Sequence, residues 1–359
     1  MTNAGVLQYT YWQQPMRQAL PGLQYVQTAE RDLAGDMGIT VAGSNASVPG
    51  DDMYHALSTE VLYLPPLDPY GVSTRWIDIY AMGSHAFNWN ISAAPFLKFS
   101  QGSGSLSPNG TTDVRVYVTV DWSLCPPGSN STLVNITSSS MDVVGTYGTQ
   151  YSVPQVSVAY NHTVLPSNFT NGFVESDGLV SIESEHYSRI SPGASTNNVS
   201  YEVIPRLSKT LSGVTLFPVT AGSQTALTGP ALEYDMYTFS NLSTGVVYPK
   251  SLLNVTLVLG TSLNTLPERP LRYAVQFDDQ PTQTVQYIID QPAGALPLGW
   301  TTAVANEAWM STTNFTYTQP GKHTLRVWEL EPGVVLQKII VNLGGVTASY
   351  LGPPESYRV

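Results

Sequence analysis

In TTDVRVYVTVDW, Val114, Val116, Val118 and Val120 alternate with Arg115, Tyr117, Thr119 and Asp121. A period of two puts the valines on one face, which predicts a strand with one buried and one wet side. STRWIDIYAM and STLVNITSS repeat the pattern, and turn-rich SGSLSPNGTT and LCPPGSNS separate the runs. Short strands spaced by turns predict a small β-sandwich of immunoglobulin-like type. YNHTVLPSNFTNG, residues 160–172, reads as a linker into a second set of runs: GLVSIESEHY, SGVTLFPVTA, PALEYDMYTF, LLNVTLVLG, LRYAVQFDD, TVQYIID, KHTLRVWELE and GVVLQKIIVN. Strands in this number, joined by long connections, predict a jelly roll. Helical spacing occurs at the start, where Trp12, Met16, Leu20 and Leu23 recur, with Pro15 and Pro21 limiting the helix to short pieces. Such a helix cannot bury its apolar stripe alone, so it is expected to meet the next domain, an absent upstream one or a second copy of the chain. The expected organisation is a helical remnant over 1–30 and two tandem β-sandwich domains over 31–165 and 166–359.

Composition agrees with an all-β chain. Only 11% of residues are charged, while 26 Pro, 29 Gly and 21 Tyr favour strands and turns. The net charge of −11 repels phosphates and anionic membrane surfaces, so neither nucleic acid nor a membrane is expected as a partner. No apolar run reaches the ~18 residues of a membrane-spanning helix. Cys125 is alone and forms no intramolecular disulfide. Eighteen Asn in a Ser/Thr-rich chain give about four N-x-S/T acceptor sites by chance. The sequence holds eleven: Asn45, Asn90, Asn109, Asn130, Asn135, Asn161, Asn168, Asn198, Asn241, Asn254 and Asn314. This excess predicts an extracellular, secreted glycoprotein. Residues 1–20 lack the charged start, apolar run and cleavage site of a signal peptide, so secretion implies a leader outside this sequence.

The candidate chemistry centres on GLVSIESEHYSRI, where Glu183, Glu185 and His186 fall within four positions. Continued as a strand, the segment puts Val180, Ile182, Ser184 and His186 on one face and Glu183, Glu185 and Tyr187 on the other. Glycoside hydrolysis needs two carboxyl groups on opposite sides of the scissile bond, roughly 5 to 9.5 Å apart. Two acids projecting from one pleated surface do not oppose each other, so no catalytic role is assigned to the pair. Neighbouring hard oxygens do suit calcium, which takes roughly six to eight of them, and the alternative is a solvated strand face. His186 reads as a hydrogen-bonded sandwich histidine. Asp278 and Asp279 read as a strand end with a turn cap, and Asp51 and Asp52 as a loop start or helix cap. The five His, at 55, 85, 162, 186 and 323, show no metal-binding spacing, and no nucleophile elbow or phosphate loop is present. Trp300 and Trp328 read as core residues, with sugar stacking as the alternative.

Six blocks carry a resemblance: GFVESDGLVSIESEHYSRI, YEVIPRLSKTLSGVTLFPVTA, PALEYDMYTF, RPLRYAVQFDDQP, PGKHTLRVWELEPGVVLQKIIVNLGG and YLGPPES. In order and spacing over residues 172–356 they resemble the C-terminal domain of glycoside hydrolase family 115, the xylan alpha-glucuronidases. YWQQPMR and LQYVQTAE are similar to the end of that family's helical domain, and RWIDIYAMGSHAFNWNISAAPFLKFS to the sandwich before its last domain. The resemblance implies enzymes that cleave 4-O-methylglucuronic acid from xylan on an α/β barrel lying N-terminal to these domains. This chain has no alternation of strands and helices to build that barrel, so no catalytic residue is carried over. VSIESEH is also similar to the first strand of galactose-binding-like modules, where such acids hold a structural calcium. That makes the second sandwich a galactose-binding-like jelly roll with Glu183 and Glu185 as the matching ligands, although Val341 and Asn342 stand where those modules often have Asp. The implied function is a non-catalytic accessory region of a secreted xylan alpha-1,2-glucuronidase, with plant cell-wall xylan or the absent barrel as partner and no required cofactor. The alternative is a free-standing carbohydrate-binding module for glucuronoxylan.

Overall fold

The computed structural model describes residues 37–48, 61–83, 85–139, 154–194, 198–241, 252–317 and 319–359. The helical stretch near the start, Asp51, Asp52 and His55 lie outside them. The chain divides into two compact units, with the main boundary between Val158 and Ala159.

Among the described residues, ten strands precede residue 163: β1 (Met37–Val41), β2 (Ser47–Val48), β3 (Val61–Leu67), β4 (Thr74–Ala81), β5 (Phe87–Ser92), β6 (Leu97–Phe99), β7 (Ser103–Leu106), β8 (Asp113–Val120), β9 (Gly128–Ser138) and β10 (Gln155–His162). They form two five-stranded sheets, ordered β2-β1-β4-β8-β6 and β3-β10-β9-β5-β7. The alternation seen in β8 decides its faces: Val116 and Val118 are fully buried, while Arg115 and Tyr117 stay in solvent. On that wet face Arg115 donates two hydrogen bonds to Asp78 of the adjacent β4, at 2.8 and 2.7 Å, and lies over the Trp76 ring. Ile39, Ile77 and Ile79 from the first sheet, with Leu62, Trp89, Ile136 and Val158 from the second, supply the buried apolar surface.

Twelve further strands follow among the described residues: β11 (Phe173–Val174), β12 (Leu179–Glu183), β13 (Arg189–Ser191), β14 (Ser200–Pro205), β15 (Ser212–Phe217), β16 (Ala231–Thr238), β17 (Leu252–Gly260), β18 (Arg272–Phe277), β19 (Gln283–Gln286), β20 (Ala308–Thr316), β21 (Gly321–Glu329) and β22 (Leu336–Asn342), with a short helix α1 (Trp300–Ala305) before β20. One sheet runs β11-β16-β21-β18-β19 with β13 on β16, and the other β14-β15-β22-β17-β20 with β12 on β22. One core joins their inner faces, including Tyr234, Tyr273 and Phe277 from the first sheet and Leu257, Ile339 and Val341 from the second. Each such side chain, fully removed from water, contributes about 1.5–3 kcal/mol. Each run read as a strand from its period contains one, although the strand in GLVSIESEHY ends at Glu183 and that in TVQYIID at Gln286. β20 and the mostly exposed edge strand β14 are not evident from that period: hydroxyl and amide side chains occupy most outward positions of β20, and in β14 the neighbours Glu202 and Val203 are both exposed, so no two-residue alternation marks its faces.

After β22 the chain turns back along β12. Ser356 and Ser181 exchange hydrogen bonds, Ser356 N to Ser181 O at 2.8 Å and Ser181 N to Ser356 Oγ at 2.9 Å. The turn depends on Gly345, where a Cβ would stand 1.6 Å from the Asp177 carbonyl oxygen. The returning segment thereby covers the outward face of β12.

Candidate functional site

β12 and β22 pair antiparallel with Glu183 directly opposite Lys338. Val180 and Ile182 face the core, so Glu183 turns outward, where its Oε1 lies 3.0 Å from Lys338 Nζ. Both side chains are buried, at 8% and 4% exposure. The Thr210 hydroxyl donates to Glu183 Oε2 at 2.8 Å, and Lys338 Nζ also donates to the Pro353 carbonyl at 3.1 Å. A charge pair this dry is sustained only when its remaining hydrogen-bonding capacity is met, as it is for both carboxylate oxygens here.

The strand period expected to run through Tyr187 stops at Glu183. Ser184–His186 is a 3-10 turn, with Ser184 buried and its carbonyl accepting the Tyr234 hydroxyl at 2.7 Å. The turn rotates Glu185 off the face of Glu183 and brings it 3.7 Å from His186 Nε2. On its other side His186 Nδ1 lies 2.8 Å from Glu355 Oε1, an oxygen that also accepts the Glu183 backbone N–H at 2.9 Å. His186 is therefore a partly exposed imidazole between two carboxylates, and not a residue of the sandwich core. The physical reason is local: once the backbone leaves the extended region, two-residue alternation no longer sets side-chain direction.

These positions bear on calcium. A bound ion needs several oxygens converging with open lone pairs. Glu183 is occupied by an ammonium and a hydroxyl, and Glu185 is turned towards an imidazole. Among the described residues no group of three or more His, Cys, Asp or Glu side chains could hold a metal ion. This donor set, as it stands, does not fit calcium. Nor is the Glu183 carboxylate, sealed beneath Lys338, in a position to exchange a proton with a substrate.

The other sequence candidates have structural settings. Asp278 follows the last residue of β18 at φ 51° and holds β21, accepting the Thr324 N–H at 2.9 Å and lying 2.8 Å from His323 Nδ1. Trp328 is buried against Ala231, Ala274 and Leu330, and half-buried Trp300 packs on Trp309. Of the acceptor asparagines, Asn135 and Asn161 are half-buried and the other nine are exposed. Asn254 and Asn314 stand opposite each other on β17 and β20.

Sequence reasoning did not find Lys338, Glu355 and Thr210, which complete the cluster. One signal for Lys338 was present: it is the lone charge in GVVLQKIIVN, and a charge inside an apolar central-strand run calls for a buried partner. Which partner it takes depends on strand order.

Residues 172–355 match the family model described as the glycosyl hydrolase family 115 C-terminal domain. No curated protein sequence matches the chain. Among solved structures, a family GH115 4-O-methyl-alpha-glucuronidase with specificity for decorated arabinogalactans is similar at 12% identity and TM-score 0.32, over 51% of this chain and 19% of that one. A family 35 carbohydrate-binding module from Clostridium thermocellum is similar at 11% identity and TM-score 0.27, over 45% of this chain and 97% of that one. A Podospora anserina GH26-CBM35 beta-(1,4)-mannanase is similar at 12% identity and TM-score 0.26, over 46% of this chain and 28% of that one. The chain spans about a fifth of the length of the glucuronidase it resembles.

Proposed function

The chain belongs to the family of glycosyl hydrolase family 115 C-terminal domains, and on that premise we propose that it is a non-catalytic accessory region of a secreted xylan alpha-1,2-glucuronidase. In this role it braces a catalytic barrel and engages xylan. The observation that carries the reading is the family match over residues 172–355, the stretch that forms the second sandwich. Two further features support it. Glu183, the acid best placed by sequence for chemistry, is spent on a buried ion pair with Lys338. The acceptor asparagines all keep some exposure, which suits a glycosylated, extracellular chain.

The test uses the purified chain with soluble glucuronoxylan. Retarded migration in a glucuronoxylan gel, without release of glucuronic acid from the polymer, is the expected result. Turnover abolished by Glu183→Gln or Glu185→Gln would refute the non-catalytic assignment, and unretarded migration would refute xylan engagement.

A further inference from the structure

The register of β22 against β17 contains one irregularity. Val258 faces Lys338, and the next residue, Leu259, faces Leu336, so Gln337 is an extra residue in β22. Such a bulge re-aims side chains locally. Leu336 and Ile339 still enter the core. Gln337 and Lys338, adjacent in sequence, both line a cavity of about 270 Å³ on the outer face of the sheet, beneath the segment after β22. Gln337 and Lys209 also line a neighbouring cavity of about 660 Å³.

The bulge leaves specific capacities open. Gln337 is 6% exposed, and its Oε1 accepts no hydrogen bond. A buried amide oxygen without a donor is costly, and a ligand hydroxyl would satisfy it. Lys338 has three N–H donors, of which the Glu183 and Pro353 bonds use two. Beside it Lys209 Nζ lies 3.9 Å from the centroid of the half-exposed Tyr350 ring. Burial, with Lys338 acting in the same sense and Glu307 opposing, lowers the Lys209 pKa from its ordinary value. An additional anion would offset that desolvation. Val258 and Ile340 make the cavity floor apolar. A ligand fitting this groove therefore needs a hydroxyl donor, oxygen acceptors, a negative charge and an apolar ring face.

We propose that this bulge-built groove binds a carboxylate-bearing sugar residue, its hydroxyl donating to Gln337 Oε1 and its carboxylate facing Lys209. The inference rests on the carbohydrate-engaging role proposed above and assigns it a location and a ligand class. A pyranose carries hydroxyls at its rim and C–H groups on its faces, which answers the polar and apolar parts of the groove together.

The test is affinity electrophoresis of the full chain in glucuronoxylan and in unsubstituted xylan, with Gln337→Leu and Lys209→Met variants whose folding is followed by calorimetry. Loss of a charge-assisted hydrogen bond predicts about a tenfold or greater rise in Kd for glucuronoxylan in the Lys209→Met variant. Wild type should prefer glucuronoxylan to the unsubstituted polymer, and Lys209→Met should abolish that preference. Retarded wild type with equally retarded variants would overturn the groove while leaving xylan engagement intact. Equal retardation in both polymers, unchanged by Lys209→Met, would overturn the carboxylate assignment. No retardation of wild type would overturn both proposals. If Gln337→Leu fails to fold, Lys209→Met decides the matter, because its side chain is outside the core.

Discussion

Replacing Lys338 with Met removes the ammonium but keeps a side chain of similar reach, leaving Glu183 at 8% exposure with the Thr210 hydroxyl as its remaining side-chain partner. At the observed 3.0 Å the pair attracts by about 5 kcal/mol at an effective dielectric of 20, a sum largely opposed by the desolvation of both ions. The single substitution loses that attraction and the bond to Pro353 O while leaving the carboxylate desolvated. The expected destabilisation is about 3–5 kcal/mol. For a domain the size of the second sandwich that lowers Tm by about 6–20 °C. The Lys338→Met, Glu183→Leu double variant should recover most of the loss, because a packed apolar pair carries no desolvation penalty. Urea unfolding of the wild type, both single variants and the double variant gives the cycle directly. A Lys338→Met cost below about 1 kcal/mol, the level of an exposed pair, would refute the buried-pair argument, as would a double variant no better than the two single losses added.

Glu329 is buried in the second sandwich with Oε2 accepting the Leu216 N–H at 3.0 Å, and burial raises its pKa well above the ordinary carboxylate value. Its folded pKa exceeds its unfolded one, so the native state retains a proton that the unfolded chain releases as pH rises above 4.5. Stability attributable to this group should fall by up to about 1.4 kcal/mol per pH unit until the folded pKa is reached, and the stability advantage of Glu329→Gln over wild type should grow between pH 5 and 7 in denaturant titrations. Gly345→Ala forces a Cβ against the Asp177 carbonyl and should cost at least about 1–3 kcal/mol; an unchanged urea midpoint would show that the turn yields freely. Calcium and EDTA should give the same Tm, because Lys338 already neutralises Glu183. Calcium at a hundredfold excess over its Kd would contribute about 2.7 kcal/mol, so a rise of several °C would reinstate the metal.

The two-residue period in runs such as DVRVYVTV and LLNVTLVLG was enough to identify strands and many of their buried positions, because a half-buried strand needs an apolar side chain at every second residue. The six family blocks were legible for the same reason: local order and spacing need no folded partner. Two features of the site were not legible. Glu183 and Glu185 looked like neighbours because their separation fitted a strand, yet the 3-10 turn at Ser184–His186 divides them, and that turn is held by Tyr234 from a distant strand. The adjacent polar residues Gln337 and Lys338 signalled a break in alternation without showing its direction. Only the pairing of β22 with β17 makes that break a bulge, and only its pairing with β12 sets Lys338 against Glu183. Local pattern specifies which side chains require burial or a partner, whereas strand order, a product of long-range contacts, selects the partner.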